Sequence, residues 1–109
     1  AEALNMGIAS GLDPKQIIDV VLPSVATSTQ FELRGPLMAE RKWDPPTAPA
    51  RLVHKDTRYI VEHAKALGVP APVSTITRDL YERVAEMGLL DKELAIIFEA
   101  LEADNEEPG

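Results

Sequence analysis

Glycine and proline divide this chain into segments of helical length, and this punctuation limits its possible folds more than any single motif does. The main breaks fall at Gly11, Pro14, Gly35, Gly68 and Gly88. Glycine commonly follows the last turn of a helix, and proline suits the first helical position. Between the breaks, apolar residues recur at three- and four-residue spacing, which favours amphipathic helices.

The spacing predicts helices over residues 1–10, 14–22, 24–34, 50–67, 73–87 and 91–101. A turn is expected at Gly35-Pro36, a proline-rich loop over residues 41–50, and an Asp91 cap on the last helix. No segment has the alternation of a strand or the turn residues of a hairpin. The predicted fold is therefore all-α, a compact bundle of five to six helices.

Composition excludes several classes of function. A chain of 109 residues is enough for one small domain. The net charge of −7, without a Lys/Arg cluster, argues against a nucleic-acid-binding face. No apolar run reaches membrane-spanning length, no signal peptide is visible, and cysteine is absent. We expect a cytoplasmic protein.

The two ends of the chain carry further expectations. Nothing caps the first helix, which starts at Ala1 without an initiator methionine, so we expect a processed or cut chain whose first helix lacks its front half. Five acids between Glu99 and Glu107 suggest a solvated end. We therefore assign residues 1–103 to a helical domain and residues 104–109 to an acidic tail.

One acid disturbs the pattern of the segment RLVHKDTRYIVEH, residues 51–63. At about 100° per residue, Asp56 and His63 fall on the helix face that carries the apolar residues Leu52, Val53, Ile60, Ala64 and Leu67. An unpaired carboxylate in an apolar contact is unstable. Either Asp56 pairs with His63 or an arginine inside the bundle, or this face lines a cleft shared with a ligand or another domain.

The other candidate sites are weaker. His54 and His63 are nine residues apart on different helix faces, so no metal site is predicted. The glycines do not form a phosphate-binding loop, and no serine has the context of a nucleophile elbow. Trp43 is expected to anchor its loop on the bundle rather than stack on a ligand. Arg34 is expected to be solvated or paired with a carboxylate.

Four ordered segments resemble the C-terminal helical domain of the β-hydroxyacid dehydrogenases. They are AEALNMGIASGLDPKQIIDVV, STQFELRGPLM, HKDTRYIVEHAKALGVPAPV and LYERVAEMGLLDKELAIIFEAL. This family includes 3-hydroxyisobutyrate dehydrogenase and relatives of 6-phosphogluconate dehydrogenase. The resemblance, from Ala1 to about Ala103, implies a 6-phosphogluconate dehydrogenase C-terminal-domain-like fold. It also implies one part of an enzyme that oxidises a β-hydroxy acid with NAD or NADP.

The resemblance implies roles for two residues. Lys55 matches the family lysine that reaches toward the bound cofactor, and Asp56 matches the acid beside the substrate cleft. Eight residues before Asp56, where some relatives have phenylalanine, this chain has Ala48, so substrate preference does not carry over. The family's Rossmann domain and catalytic lysine have no counterpart here. We therefore expect no catalytic residue, no bound NAD(P) and no turnover by this chain alone.

The resemblance also implies partners. We expect this domain to form one wall of the substrate and cofactor cleft against its own Rossmann domain, and to form the subunit interface of a homo-oligomer such as a dimer. A shortened first helix would expose apolar surface and favour self-association, including helix swapping. The alternative is a standalone helical protein-interaction module without catalysis, which would bind a partner protein instead of a cofactor.

Overall fold

Helices account for all the regular structure in the computed structural model, which describes residues 1–106. They are α1 (Glu2–Ala9), α2 (Pro14–Val21), α3 (Thr29–Glu40), α4 (Ala50–Leu67), α5 (Pro72–Glu86), a 3₁₀ helix (Leu94–Ile96) and α6 (Ile97–Glu102). Within that range, extended pairing is limited to one antiparallel bridge between Pro49 and Glu93. The prediction of an all-α bundle of five to six helices is confirmed. None of the helices described is long and apolar enough to cross a membrane.

The core consists of two apolar clusters that meet at α6. The first joins α4, α5 and the last helical segments through Ala50, Tyr81, Val84, Ile96 and Ala100. The second joins α1, α2 and α6 through Leu4, Ile18 and Phe98. Trp43 packs against both clusters, so the proline-rich loop lies between them. The predicted anchoring of this loop on the bundle is confirmed.

Helix α3 differs from its prediction, because it begins at Thr29 and continues through Gly35 and Pro36 to Glu40. The turn expected at Gly35-Pro36 is wrong. Gly35 is buried, and a Cβ built there would lie 3.2 Å from Ile18 Cδ1, so glycine lets α2 approach α3 closely. Proline removes one helical hydrogen bond, but the packing of α3 keeps the helix continuous. The αL residue Arg41 (φ 52°) ends it.

Backbone hydrogen bonds from a distant loop hold the start of α4. The predicted bounds of α4, Ala50 to Leu67 with Gly68 after it, are confirmed. The side chain of its N-cap residue, Pro49, has no atom that can accept a hydrogen bond. Instead, Ala50 N donates to Lys92 O at 2.8 Å and Arg51 N donates to Leu90 O at 2.9 Å. These bonds satisfy amide groups that a capping side chain would otherwise serve.

Glu93 fastens the same loop to the bundle from within. Its side chain is 1% exposed, and Oε2 accepts bonds from Thr47 N (2.5 Å), Thr47 Oγ1 (2.8 Å) and Ala48 N (3.3 Å). Arg34 Nε lies 3.3 Å from the other oxygen, at an angle that makes this an ion pair rather than a hydrogen bond. We expected Arg34 to be solvated or paired with a carboxylate, and the pairing with a carboxylate is confirmed.

Several acids near the end of the chain form hydrogen bonds or ion pairs, although the sequence predicted a solvated end. Glu99 accepts a 2.8 Å bond from Trp43 Nε1, Glu102 pairs with Arg41 at 2.6 Å, and Asp104 pairs with Arg83. Glu99 and Glu102 therefore belong to α6 and its contacts rather than to a solvated end. Residues 107–109 of the predicted acidic tail lie outside the described residues.

The last helices also differ from their predictions in detail. Asp91 does not cap a helix: its side chain is 93% exposed, and a 3₁₀ helix begins only at Leu94. On α5, the buried side chains are Tyr81 and Val84, whereas Val73, Ile76 and Met87 are exposed. The apolar face predicted for α5 thus turns only partly inward, because α4 and α6 cover one side of the helix.

Replacing Glu93 with alanine should lower the free energy of unfolding by about 3–5 kcal/mol, because it leaves Arg34 buried and unpaired and the Thr47 donors without an acceptor. Chemical denaturation monitored by circular dichroism measures this change. Asp91→Ala, two residues away and exposed, is the matched control and should change stability by less than about 0.5 kcal/mol. A similar small loss for Glu93→Ala would contradict the anchoring role.

Burial raises the pKa of Tyr81 to about 12, with nearby Arg34 opposing the shift and Glu93 adding to it. The folded state therefore holds the Tyr81 proton more tightly than the unfolded state, and about 2–3 kcal/mol of stability should disappear as pH rises from 10 to 12. Tyr81→Phe removes the 2.9 Å bond to Leu94 O and should cost about 0.5–1.5 kcal/mol at pH 8. The stability gap between the two proteins should narrow or reverse above pH 10 in urea titrations. A gap that stays constant to pH 12 would rule out the shift.

Candidate functional site

The outward-facing side of α4 carries an unusual mixture of apolar and ionisable side chains. We call it the outer face of α4, and it consists of Leu52, Asp56, Tyr59, Ile60, His63 and Leu67. The opposite side packs on the bundle through Ala50 and Thr57, which are 0% and 7% exposed. Thr57 Oγ1 donates to Val53 O at 2.7 Å, so this polar side chain is satisfied within its own helix.

The predicted apolar face of α4 is therefore divided between core and solvent. Val53 and Ala64 turn toward the bundle and are half-buried. Leu52, Ile60 and Leu67 are 40%, 49% and 63% exposed. The physical reason is that α5 and the 3₁₀ helix pack against a side of α4 that is rotated around the helix axis, by about the angle of one residue, from the centre of the apolar pattern.

Asp56 lies in solvent rather than inside the bundle. Its side chain is 64% exposed, and its Oδ1 is 3.7 Å from Nζ of Lys55, which is 53% exposed at the edge of the outer face. The interpretation that Asp56 pairs with His63 or an arginine inside the bundle is wrong, because its side chain is mostly exposed and its ion-pair partner among the described residues is Lys55. The neighbouring cation and carboxylate are both free to meet another molecule or domain.

Helix α5 fixes the rotation of α4 about its axis. The half-buried ring of His54 points Nε2 to within 3.2 Å of Glu82 Oε1 on α5, and Arg58 Nε lies 4.0 Å from the same oxygen. Together with the buried Ala50 and Thr57, these contacts hold one side of α4 against the bundle. Lys55 and Asp56 are therefore presented from a rigid helical turn, not from a mobile loop.

This arrangement offers a primary ammonium group and a carboxylate side by side, with an apolar surface next to them. Such a pair can orient a polar ligand that carries both an acceptor and a donor group. Across residues 1–106, no group of three or more His, Cys, Asp and Glu side chains is placed to hold a metal ion. His54 and His63 lie on different faces of α4, as their spacing predicted; His54 is half-buried, whereas His63 is exposed.

The structure adds one residue that the sequence analysis did not include in this face. Tyr59 lies one helical turn beyond Lys55 and Asp56 and is 61% exposed. Its spacing of three residues from Asp56 was the available signal. Tyr59 places an aromatic ring and a hydroxyl next to the Lys55–Asp56 pair, which widens the range of groups the face can contact.

A concave region, separate from the outer face of α4, is lined by residues of α1, α2, α3, α5 and the last helical segments. It has a volume of about 530 Å³ and is lined mainly by apolar side chains, with Phe31, Arg34 and Tyr81 among them. The Arg34 guanidinium is already engaged by Gln30 Oε1 at 2.6 Å and by Glu93. The Tyr81 hydroxyl bonds to a backbone carbonyl. The guanidinium of Arg34 and the hydroxyl of Tyr81 are thus used for structure.

Comparison with known proteins gives consistent matches across nearly the whole chain. Residues 1–101 match the sequence model of a family described as NAD-binding of NADP-dependent 3-hydroxyisobutyrate dehydrogenase. The chain is 29% identical over 104 residues to the glyoxylate/succinic semialdehyde reductase 2, chloroplastic, of Arabidopsis thaliana, a match that covers 94% of this chain and 28% of the relative.

Two further matches extend the comparison. The chain is 25% identical over 107 residues to the "Probable 3-hydroxyisobutyrate dehydrogenase, mitochondrial" of Dictyostelium discoideum, covering 93% of this chain and 33% of the relative. A crystal structure of 3-hydroxyisobutyrate dehydrogenase from Salmonella typhimurium has the same fold, with a TM-score of 0.84 at 20% identity over 90% of this chain and 34% of that one. The chain spans about a third or less of the length of these proteins.

Removing the Asp56 carboxylate should have little effect on folding, because its side chain is exposed and its neighbour Lys55 remains solvated. We expect Asp56→Ala to change the free energy of unfolding of this chain by less than about 0.5 kcal/mol. Thr57→Asp, one residue along but on the buried side, should cost several times more, because it places a charge in the core. Equal losses for the two variants in urea titrations would contradict the orientation of α4.

Proposed function

This chain belongs to the 3-hydroxyisobutyrate dehydrogenase family of NAD-binding proteins, and from that premise we propose that it is the helical domain of a β-hydroxyacid dehydrogenase. The family resemblance predicted from the sequence is confirmed. In this proposal the longer enzyme oxidises a β-hydroxy acid reversibly with NAD or NADP. Residues 1–103 supply one wall of the cleft in which substrate and cofactor meet, and residues 104–109 follow as a short acidic tail.

The single observation that carries the proposal is the exposed Lys55–Asp56 pair on a helix whose first turn is fixed. Both side chains are more than half exposed, at 53% and 64%, and no other described group neutralises them. The bonds from Ala50 and Arg51 to the loop at residues 90–92 hold the helix that carries them. A fixed pair of opposite charges beside exposed apolar side chains suits the wall of a cleft.

The side chains fit one edge of a dinucleotide but not the whole of it. Lys55 can donate to a carbonyl or phosphate oxygen of the cofactor, and Asp56 can accept from a substrate hydroxyl or water. The cofactor, when bound, supplies the hydride chemistry. In residues 1–106 there is neither a strand nor a glycine-rich loop to hold the pyrophosphate, so we assign that task to another domain of the longer enzyme. We assign the catalytic lysine to a part of that enzyme outside these residues.

Two further assignments follow from the same proposal. The partner of the outer face in the complete enzyme is its own Rossmann domain, and copies of the enzyme associate as a homo-oligomer, a dimer being the simplest case. We keep a cytoplasmic location as a prediction, although two relatives carry chloroplastic and mitochondrial in their names. Neither nucleic acid nor a membrane is proposed as a partner.

Steady-state kinetics of the longer enzyme test the roles of the two residues. Lys55→Gln should raise KM for NAD(P) with a smaller change in kcat, because it removes one charge-assisted contact to the cofactor. Asp56→Ala should lower kcat/KM for the hydroxy acid by about 10- to 100-fold, the effect of losing a hydrogen bond to a charged group. Residues 1–109 alone should show no turnover.

Glu62→Gln is the matched control, because it removes an exposed charge from the same helix outside the pair. It should leave both kinetic constants within about twofold of the wild type. The proposal fails if Lys55→Gln and Asp56→Ala behave like this control while all variants keep the same melting temperature. Loss of activity together with a lower melting temperature would instead indicate a structural role.

A further inference from the structure

One of the two histidines of this chain lies in the contact between α4 and α5. The side chain of His54 is 14% exposed, and its Nε2 is 3.2 Å from Oε1 of Glu82 on α5. Nε2 is shielded from solvent and makes no well-aligned hydrogen bond within residues 1–106. The attraction between the two side chains therefore depends on charge, because the imidazole is a cation only when both of its nitrogens are protonated.

The carboxylate of Glu82 has a second cation near it. Nε of Arg58, one turn of α4 after His54, lies 4.0 Å from the same Oε1. Glu82 is 44% exposed, so its side chain has room to turn toward Arg58 or toward solvent. When His54 is charged, the carboxylate is attracted by two cations of α4. When His54 is neutral, the nearby cation is Arg58, and the position that Glu82 prefers shifts toward it.

The other ionisable groups on the elements that pack against α4 have partners other than His54 or lie in solvent. Arg78 pairs with Asp79, Arg83 with Asp104, Lys92 with Asp44, Asp91 with Arg51 and Glu93 with Arg34, the Tyr81 hydroxyl bonds to Leu94 O, and Glu86 is exposed. The 3₁₀ helix contributes apolar residues. On α4 itself, Lys55 lies beside Asp56. A change in the charge of His54 therefore acts first on Glu82 and Arg58.

We propose that His54, Glu82 and Arg58 form a pH-sensitive ionic contact between α4 and α5, which is tightest when His54 is charged. Histidine is the side chain that ordinarily changes charge between about pH 5 and pH 8. Lys55 follows His54 directly in the same turn, so the contact sets how firmly that turn is held. His54 is then a positioning residue for Lys55. This consequence rests on the proposed function, in which a firmly held Lys55 favours binding of NAD(P).

Nuclear magnetic resonance of this chain between pH 5.5 and pH 8.5 tests the contact without any cofactor. The side-chain carboxyl carbon of Glu82 and Nε of Arg58 should change their chemical shifts along the same one-proton curve as the ring of His54. The exposed His63 on the same helix is the internal control, and its titration curve should not appear in the signals of Glu82 and Arg58. This comparison uses the unaltered chain, so it does not depend on the folding of a variant.

His54→Gln supplies the second arm of the test, because glutamine keeps an amide donor but does not change charge in this pH range. The pH dependence of the Glu82 and Arg58 signals should disappear in this variant. In the longer enzyme, the ratio of KM for NAD(P) at pH 8 to that at pH 6 should be about two- to fivefold larger in the wild type than in His54→Gln, the range for a partly exposed ion pair. The corresponding ratio of kcat should be the same in both proteins.

Glu82→Gln should reproduce the kinetic effect of His54→Gln, because it removes the other charge of the contact. Glu86→Gln, one turn further along α5 and exposed, is the matched control and should keep the wild-type ratio. Equal KM ratios in the wild type and His54→Gln would overturn the positioning role. Signals of Glu82 and Arg58 that do not follow His54, or that keep their pH dependence in His54→Gln, would overturn the contact itself.

Failure of this proposal can be distinguished from failure of the proposed function. The resonance experiment needs neither enzyme activity nor cofactor, so its result stands whatever the longer enzyme does. The role of Lys55 is tested at a single pH by Lys55→Gln, which leaves His54 and Glu82 unchanged.

Discussion

The buried carboxylate of Glu93 is the interaction on which the rest of the structure depends. A charge that is 1% exposed needs partners, and here they come from the proline-rich loop and from α3. The backbone amide of Glu93 also donates to Trp43 O, in the same loop, at 2.9 Å. The loop between α3 and α4 is thus tied down at several points, which fixes where α4 begins and how it leaves the bundle.

The position of α4 in turn decides what the molecule presents to its surroundings. The side with Ala50 and Thr57 is committed to the core, so the side with Asp56 and Tyr59 must face outward. The proposed cleft wall uses this outward side, where a charged pair and exposed apolar side chains occur together on one helix. Because this orientation leaves Asp56 in solvent, its charge does not lower the stability of the fold.

Much of the fold could be predicted from the sequence, and the errors share one cause. The start of α2 at Pro14 and the ends of α4 and α5 before Gly68 and Gly88 follow from local backbone chemistry, which can be read from the residues themselves. Gly35 and Pro36 resemble a turn in the local sequence but lie within α3, because close packing of Gly35 against Ile18 stabilises a continuous helix. The candidate pair Lys55–Asp56 was found. Tyr59 was missed although its spacing from Asp56 was visible in the sequence, and the role of Glu93 was missed because its partners are distant in sequence.

By itself, the sequence determined the helical class, most helix boundaries, the family and the adjacency of Lys55 and Asp56. These features depend on backbone conformation and on residue order, which are local properties. Only the tertiary structure decided which side of α4 and α5 is buried, that Asp56 is exposed, and that Glu93 is enclosed. The periodicity of a helix gives the angles between its side chains, but the direction of the core is set by where other helices pack, and that is settled only when the whole chain is folded.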